Sequence, residues 1–435
     1  MVRGRRCSVE FDEWFALESI LVELQVKITI KFQMRQRELL SNVPGKETDM
    51  LIKNGTVHTL DSPIIEKGFV AVRDGKIAMV GPMDQCPENW EGEIFDAQGG
   101  HICPGFVDAH CHLGMFGDAI GFEADDGNEI TDPCTPHLRA IDAINPLDRC
   151  FQEARLGGVT TVLTGPGSAN PISGQFAAIK TTGKWVDAMI LQAPVAMKLA
   201  LGENPKGVYN ERHETPVTRM ATAAIIRENL RKALEYAEKL EKAEEDEDEE
   251  KPDYDAKLEA LLPVVRGELP VHIHAHRADD IATGIRICKE FNLKYVIVHG
   301  TEGYLISDLL AQENAAVITG PCLGDRSKPE LANMTIENPV LLTMAGVKVA
   351  ICTDHPETPI QHLPLCAGMA IKGGMIPETA LAAITRWPAE IAGLGDRIGT
   401  LTPGKDADIV VTSGYPINWL SRVKLVLIDG KRVTG

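Results

Sequence analysis

The chain is 435 residues long and 44% hydrophobic, enough to bury one large α/β core with a smaller companion. Lysine and arginine total 44 against 62 aspartates and glutamates, so a formal charge of −18 repels nucleic acid and anionic membrane surfaces. Ten scattered cysteines with no CxxC pair, the lack of an apolar run of about 18 residues, and the acids Glu10, Asp12, Glu13 and Glu18 breaking the basic opening exclude a disulfide scaffold, a membrane span and a secretory signal, and predict a cytoplasmic protein.

Residues 1–49 carry no element that connects to a core beyond a terminal-helix pattern over Phe11–Gln25. They are read as an extension, disordered or not native, ahead of a natural start near Met50. Residues 50–100 alternate (LIKNGTVHTL, GFVAVRDGKIAMVG) around Asn-Gly and Asp-Gly, which tolerate the positive φ of tight hairpins. Residues 397–435 have the same texture, and IDGKRV echoes VRDGKIAMVG, so the two ends are expected to form one small β-sandwich. Between them, residues 101–396 alternate apolar strands (HICPGFVDAH, GVTTVLTG, VAMKLALG, PVHIHAH, KYVIVHG, AAVITGP, GVKVAICTD) with helical stretches. That rhythm predicts an α/β fold with a (β/α)8 TIM-like barrel, a doubly wound sheet being the runner-up. A helical insertion over about 204–269 interrupts it, and its acidic run Glu244–Glu250 reads as a solvated loop.

His110 and His112, two apart at a strand end, leave one face and can converge on one ion. Alone the pair is weak evidence. His274, His299 and Asp354 also end later strands, on the barrel face where active sites assemble. Imidazole with carboxylate suits a divalent metal, zinc first, with manganese or ferrous iron as alternatives. Cys111, between the two histidines, points away by alternation and reads as packing.

GFVDAHCHLG, GVTTV, HAHR, VHGTEG, TDHP and LTPGKDADIVV together resemble the amidohydrolase superfamily, particularly its imidazolonepropionase-related branch, from about Met50 to Gly435. The resemblance implies a distorted barrel with a sandwich built from both ends. It implies that His110 and His112 bind the more buried ion, His274 and His299 a second ion or the substrate carbonyl, and that Asp354 binds metal and shuttles protons. Binuclear members bridge their ions with a carboxylated lysine. Lys198 in the fourth barrel strand fits that role by alternation, with Glu203 as its rival; if neither bridges, one ion is expected. Within HIHAH, the family pattern selects His274 as the ligand. His272 then reads as a core residue and His276 as a substrate or water contact. His355 is assigned a loop role, and His58, His101, His137, His213 and His362 read as structural.

Arg277, Arg326, Lys328, Lys206 and Arg219 follow barrel strands, and Arg277 is the first choice to clamp a substrate carboxylate in a bidentate fork. The segment GPGSANPISGQ reads as a close loop over substrate and lacks a P-loop's lysine spacing. The expected activity is metal-dependent cleavage of a C–N bond in an amide or cyclic amide of a small-molecule substrate. Deamination of a cyclic amidine, prolidase-like dipeptide cleavage and a non-catalytic scaffold are the alternatives. Homo-oligomerisation is left open.

Overall fold

The computed structural model describes residues 49–117, 121–246 and 248–434, so the expected extension lies outside the described residues but for Asp49. In chain order the strands are β1 (Met50–Val57), β2 (Ile65–Arg73), β3 (Lys76–Pro82), β4 (Glu93–Asp96) and β5 (His101–Pro104). Then come β6 (Phe106–Cys111), β7 (Val159–Thr164), β8 (Ile172–Lys180), β9 (Ile190–Ala200), β10 (Val271–Ala275) and β11 (Tyr295–His299). β12 (Ala316–Thr319), β13 (Val349–Ile351), β14 (Ile409–Thr412), β15 (Val423–Ile428) and β16 (Lys431–Thr434) follow.

The early and late strands join in one sheet of order β16-β15-β14-β5-β1-β2-β3, with β4 beside β1. β14 runs antiparallel to β5, and Ile52, Val70 and Ile102 share a buried cluster with Val411, Leu425 and Leu427. The companion expected as a sandwich is, in its hydrogen bonding, one continuous sheet. The echo between the two ends has a physical basis. Asp74-Gly75 (φ 50° and 75°) and Asp429-Gly430 (φ 49° and 73°) each close a two-residue hairpin in which both central residues need positive φ. Asn54-Gly55 behaves differently: it lies inside β1, at a shift of register against β2 that acts as a bulge.

The stretch read as one strand, HICPGFVDAH, is two, because β5 belongs to the first sheet and β6 to the second. Gly105 makes the switch where a Cβ would lie 2.1 Å from Thr160 Oγ1, too close for any other residue without rearrangement. The second sheet has the order β13-β12-β11-β10-β9-β8-β7-β6. Its outer strands meet where His112 N–H donates to His355 O at 2.8 Å and Asp354 N–H to His110 O at 3.2 Å, completing a barrel. β8 runs antiparallel to both β7 and β9, which corrects the reading of GPGSANPISGQ as loop throughout. The connection over residues 165–171 is too short for the dozen or so residues that a parallel crossover needs, so the chain turns back on itself.

The insertion is helical, as expected. The helix Arg219–Glu245, capped by the Thr218 side chain on Ala221 N–H, extends through the first two residues of the acidic run. Its face of Ile226, Leu230 and Ala233 packs on Met197 and Leu199 of β9 and Val271 and Ile273 of β10. Each fully buried Leu or Ile there contributes roughly 1.5–3 kcal/mol.

Candidate metal centre

The barrel strands deliver polar side chains to one mouth. His110, on β6, and His112, just beyond it, share a face as their spacing required, with ring centroids 5.2 Å apart. Asp354 follows β13, and its Oδ1 lies 3.5 Å from His110 Nε2 and 3.3 Å from His112 Nε2. Lys198, wholly buried on β9, places Nζ 3.1 Å from His110 Nε2. His274 on β10, His276 just past it and His299 at the end of β11 pack with centroids 4.5–4.7 Å apart. His299 and Asp354 both adopt left-handed backbone, φ 69° and 53°, an uncommon state for such residues that turns each side chain into the mouth.

Hydrogen bonds orient the rings. His112 Nδ1–H donates to Gly165 O and His299 Nδ1–H to Gly320 O, each at 2.7 Å, which leaves both Nε2 lone pairs facing the mouth. Asp108 holds the two sides together: its carboxylate accepts His110 N–H at 3.1 Å and Thr353 N–H at 3.0 Å, tying β6 to the approach of Asp354. Burial pushes the Asp108 carboxyl up to about 7.

Burial also keeps the imidazoles neutral and ready to donate lone pairs. With positive neighbours it holds His110, His274 and His276 well below the ordinary histidine value and brings His299 down to about 4. Burial lowers the Lys198 ammonium to about 8. Burial alone would raise the Asp354 carboxyl, but His299, His112 and Lys198 outweigh it and keep the group below the usual carboxylate range. Two four-coordinate zinc ligands at bond lengths of about 2.0–2.1 Å stand about 3.3–3.4 Å apart. The contacts of Asp354 Oδ1 to His110 and His112, at 3.5 and 3.3 Å, come within a few tenths of that edge. Asp354 Oδ1 is buried without a hydrogen-bond partner, as a ligand atom would be before its ion. The donor set fits a divalent metal.

Other expected residues go elsewhere. Arg277 does not line the mouth; its guanidinium forms a two-point pair with Asp279, at 2.9 and 3.1 Å, on the outer surface. That geometry corrects its assignment to substrate, because the strand has already ended and the side chain starts the next helix facing outward. Arg219 likewise pairs with Asp279 and Asp280. Glu203 begins the helix Glu203–Glu211, and its carboxylate accepts Glu330 N–H at 3.3 Å rather than approaching His110. His272 lies deeper on β10, beside Phe176, and burial brings it down to about 3. His355 accepts Ile360 N–H on Nδ1, in keeping with a loop role. His58 and His101, read as structural, form a pair at 2.8 Å, with His58 Nδ1 3.0 Å from Glu378.

Some lining residues were not legible in the sequence. Phe176, on the antiparallel β8, stacks on the His110 ring at 5.1 Å and lies under Lys198 Nζ. Glu330, in a short turn after β12, is 2% exposed and reaches the His274–His276 side of the mouth. Lys328 and Arg326, two of the five cations considered, do line the cavity of about 970 Å³, as do Gly167 and Ser168 of the expected loop. A run of apolar residues in QFAAIK was the signal for β8; none announced a buried Glu330.

A barrel whose C-terminal strand ends bring imidazoles, a lysine and an aspartate to one mouth defines a hydrolase class. The chain belongs to the amidohydrolase family, which it matches over residues 101–433, and to its imidazolonepropionase-related branch. It is 30% identical over 419 residues to amidohydrolase tasK of Hapsidospora irregularis, covering 89% of this chain but 41% of that protein, so it spans less than half of that relative's length. It is 28% identical over 399 residues to the imidazolonepropionase of Maricaulis maris (strain MCS10), covering 82% of this chain and 91% of that one. The crystal structure of an amidohydrolase from Thermotoga maritima MSB8 is 45% identical, with a TM-score of 0.85, over 88% of this chain and 99% of that one. Among the described residues no helix is long and apolar enough to cross a membrane.

Proposed function

We propose that this chain is a metal-dependent hydrolase that cleaves the C–N bond of an amide or cyclic amide, on a substrate carrying a carboxylate. The observation that carries the reading is the placement of Asp354 Oδ1 at ligand-edge distance from both His110 Nε2 and His112 Nε2. Bound there, a zinc-class ion supplies Lewis acidity and brings the pKa of water down to about 7. Asp354 accepts the proton released as water attacks and returns it to the departing nitrogen. Because His299 commits Nδ1–H to Gly320 O, its Nε2 can only accept, which favours a ligand role over hydrogen bonding to a substrate carbonyl. Of the five cations considered for a substrate carboxylate, Lys328 and Arg326 line the cavity, and they replace Arg277 as the carboxylate contacts.

Metal analysis of the purified protein, with a screen of cyclic amides, dipeptides and N-acyl amino acids, tests the assignment. Metal-dependent ring opening of a cyclic amide, or release of an amine from a linear one, is the expected result. Ammonia release confined to a purine or pyrimidine panel would replace it with cyclic-amidine deamination.

Lys198 is proposed to add CO2 to its amine, losing a proton, and the resulting carbamate would hold both ions; the buried amine stands 3.1 Å from His110 Nε2. Lys198→Ala is expected to lower the metal content from about two ions per chain towards one. An unchanged metal count with full activity would remove Lys198 from the site.

A further inference from the structure

We propose that Glu330 and His276 are direct ligands of the second ion, giving it with His274 and His299 three imidazoles and one carboxylate in addition to the Lys198 bridge, beside the site of His110, His112 and Asp354. The inference rests on the metal-hydrolase reading and assigns residues that the sequence had left to substrate or to no role. Glu330 Oε1 lies 3.6 Å from His276 Nε2 and 3.8 Å from His274 Nε2. Those separations approach the edge of about 3.3–3.4 Å between ligands of a four-coordinate zinc. His274, His276 and His299 each offer a ligand atom within 4.8 Å of the others, and all three are buried.

The backbone aims the carboxylate. Glu203 N–H donates to Glu330 Oε2 at 3.0 Å, leaving Oε1 towards the rings. Gly202 makes room for it, since a Cβ there would lie 2.8 Å from Oε2, and Gly202 also has φ 83°. An ionised carboxylate this deep is costly unless it faces a cation. In the present arrangement Lys328 Nζ provides one, 2.7 Å from Oε1, while also donating to Asn204 Oδ1 at 2.8 Å. Lys328 is thus a tethered ammonium that an incoming ion displaces, keeping Asn204 as its partner.

The test is Zn2+ titration of the metal-stripped full chain against a competing chelator, with Co2+ absorption as an independent readout of coordination. The wild-type chain should take two ions. Glu330→Gln, isosteric and still able to accept from Glu203 N–H, should keep the first ion and bind the second at least about 100-fold more weakly. Lys328→Met, which removes the competing ammonium, should tighten the second ion by at least about tenfold. Two ions bound with wild-type affinities in Glu330→Gln would overturn the assignment. So would an unchanged second affinity in Lys328→Met, which decides the matter if Glu330→Gln does not fold. A wild-type chain that takes one ion regardless of Glu330 sinks this inference and leaves the hydrolase reading standing; one that takes none removes both.

Discussion

Asp354→Asn is expected to give a folded protein that binds substrate yet turns it over at least about 100-fold more slowly, the scale of a lost general base. The substitution keeps the shape of the side chain, and Asp354 N–H can still donate to His110 O, so the junction of β6 and β13 persists. What it removes is the negative charge of the side chain, and with it the proton acceptor between the two metal-facing histidines. Circular dichroism and thermal melting should match wild type while kcat falls. Near-wild-type turnover would eliminate Asp354 as the proton shuttle and the mechanism built on it.

Lys180→Met is expected to cost about 3–5 kcal/mol of stability, the range for a buried ion pair broken from one side. Lys180, at the end of β8, buries its ammonium against Asp408, with Asp406 and Asp429 each at 3.2 Å. Asp406 keeps Lys76 and Arg397 when Lys180 is lost. Among the described residues Asp408 keeps only the Asp429 N–H, so a buried carboxylate is stranded between barrel and end sheet. Burial already pushes that carboxyl upward against the pull of Lys180. Urea unfolding measures the loss, and adding Asp408→Asn to the variant should recover part of it. A change below about 1 kcal/mol, the worth of an exposed pair, would show that the network does not bind the two sheets.

This network also shows what a sequence pattern can conceal. Asp406 and Asp408 stand two apart in LTPGKDADIVV, a segment whose periodicity gives a late strand with acids before it. Their partner is more than 200 residues earlier in the chain, at the end of a strand that the sequence reading did not identify. Nothing local in PISGQFAAIK distinguishes a lysine that closes the fold from one in solvent.

What the sequence determined by itself was whatever depends on local geometry. Alternation put His110 and His112 on one face and separated Lys198 from Glu203, because side-chain direction in a strand follows from position alone. The Asp-Gly pairs closed their hairpins because both central residues must take positive φ. The recurrence of apolar strands ending in His or Asp located the mouth of the barrel. The tertiary structure decided whatever depends on direction beyond a strand's end and on approach between distant segments. It turned Arg277 outward to Asp279, reversed β8 so that Phe176 floors the site, and carried Glu330 from a turn after β12 to the rings of His274 and His276. Once a strand ends, the period of two no longer applies. The backbone turns set by positions such as Gly202, His299 and Asp354 then choose the direction of a side chain, and those turns are held by contacts that only the folded chain brings together.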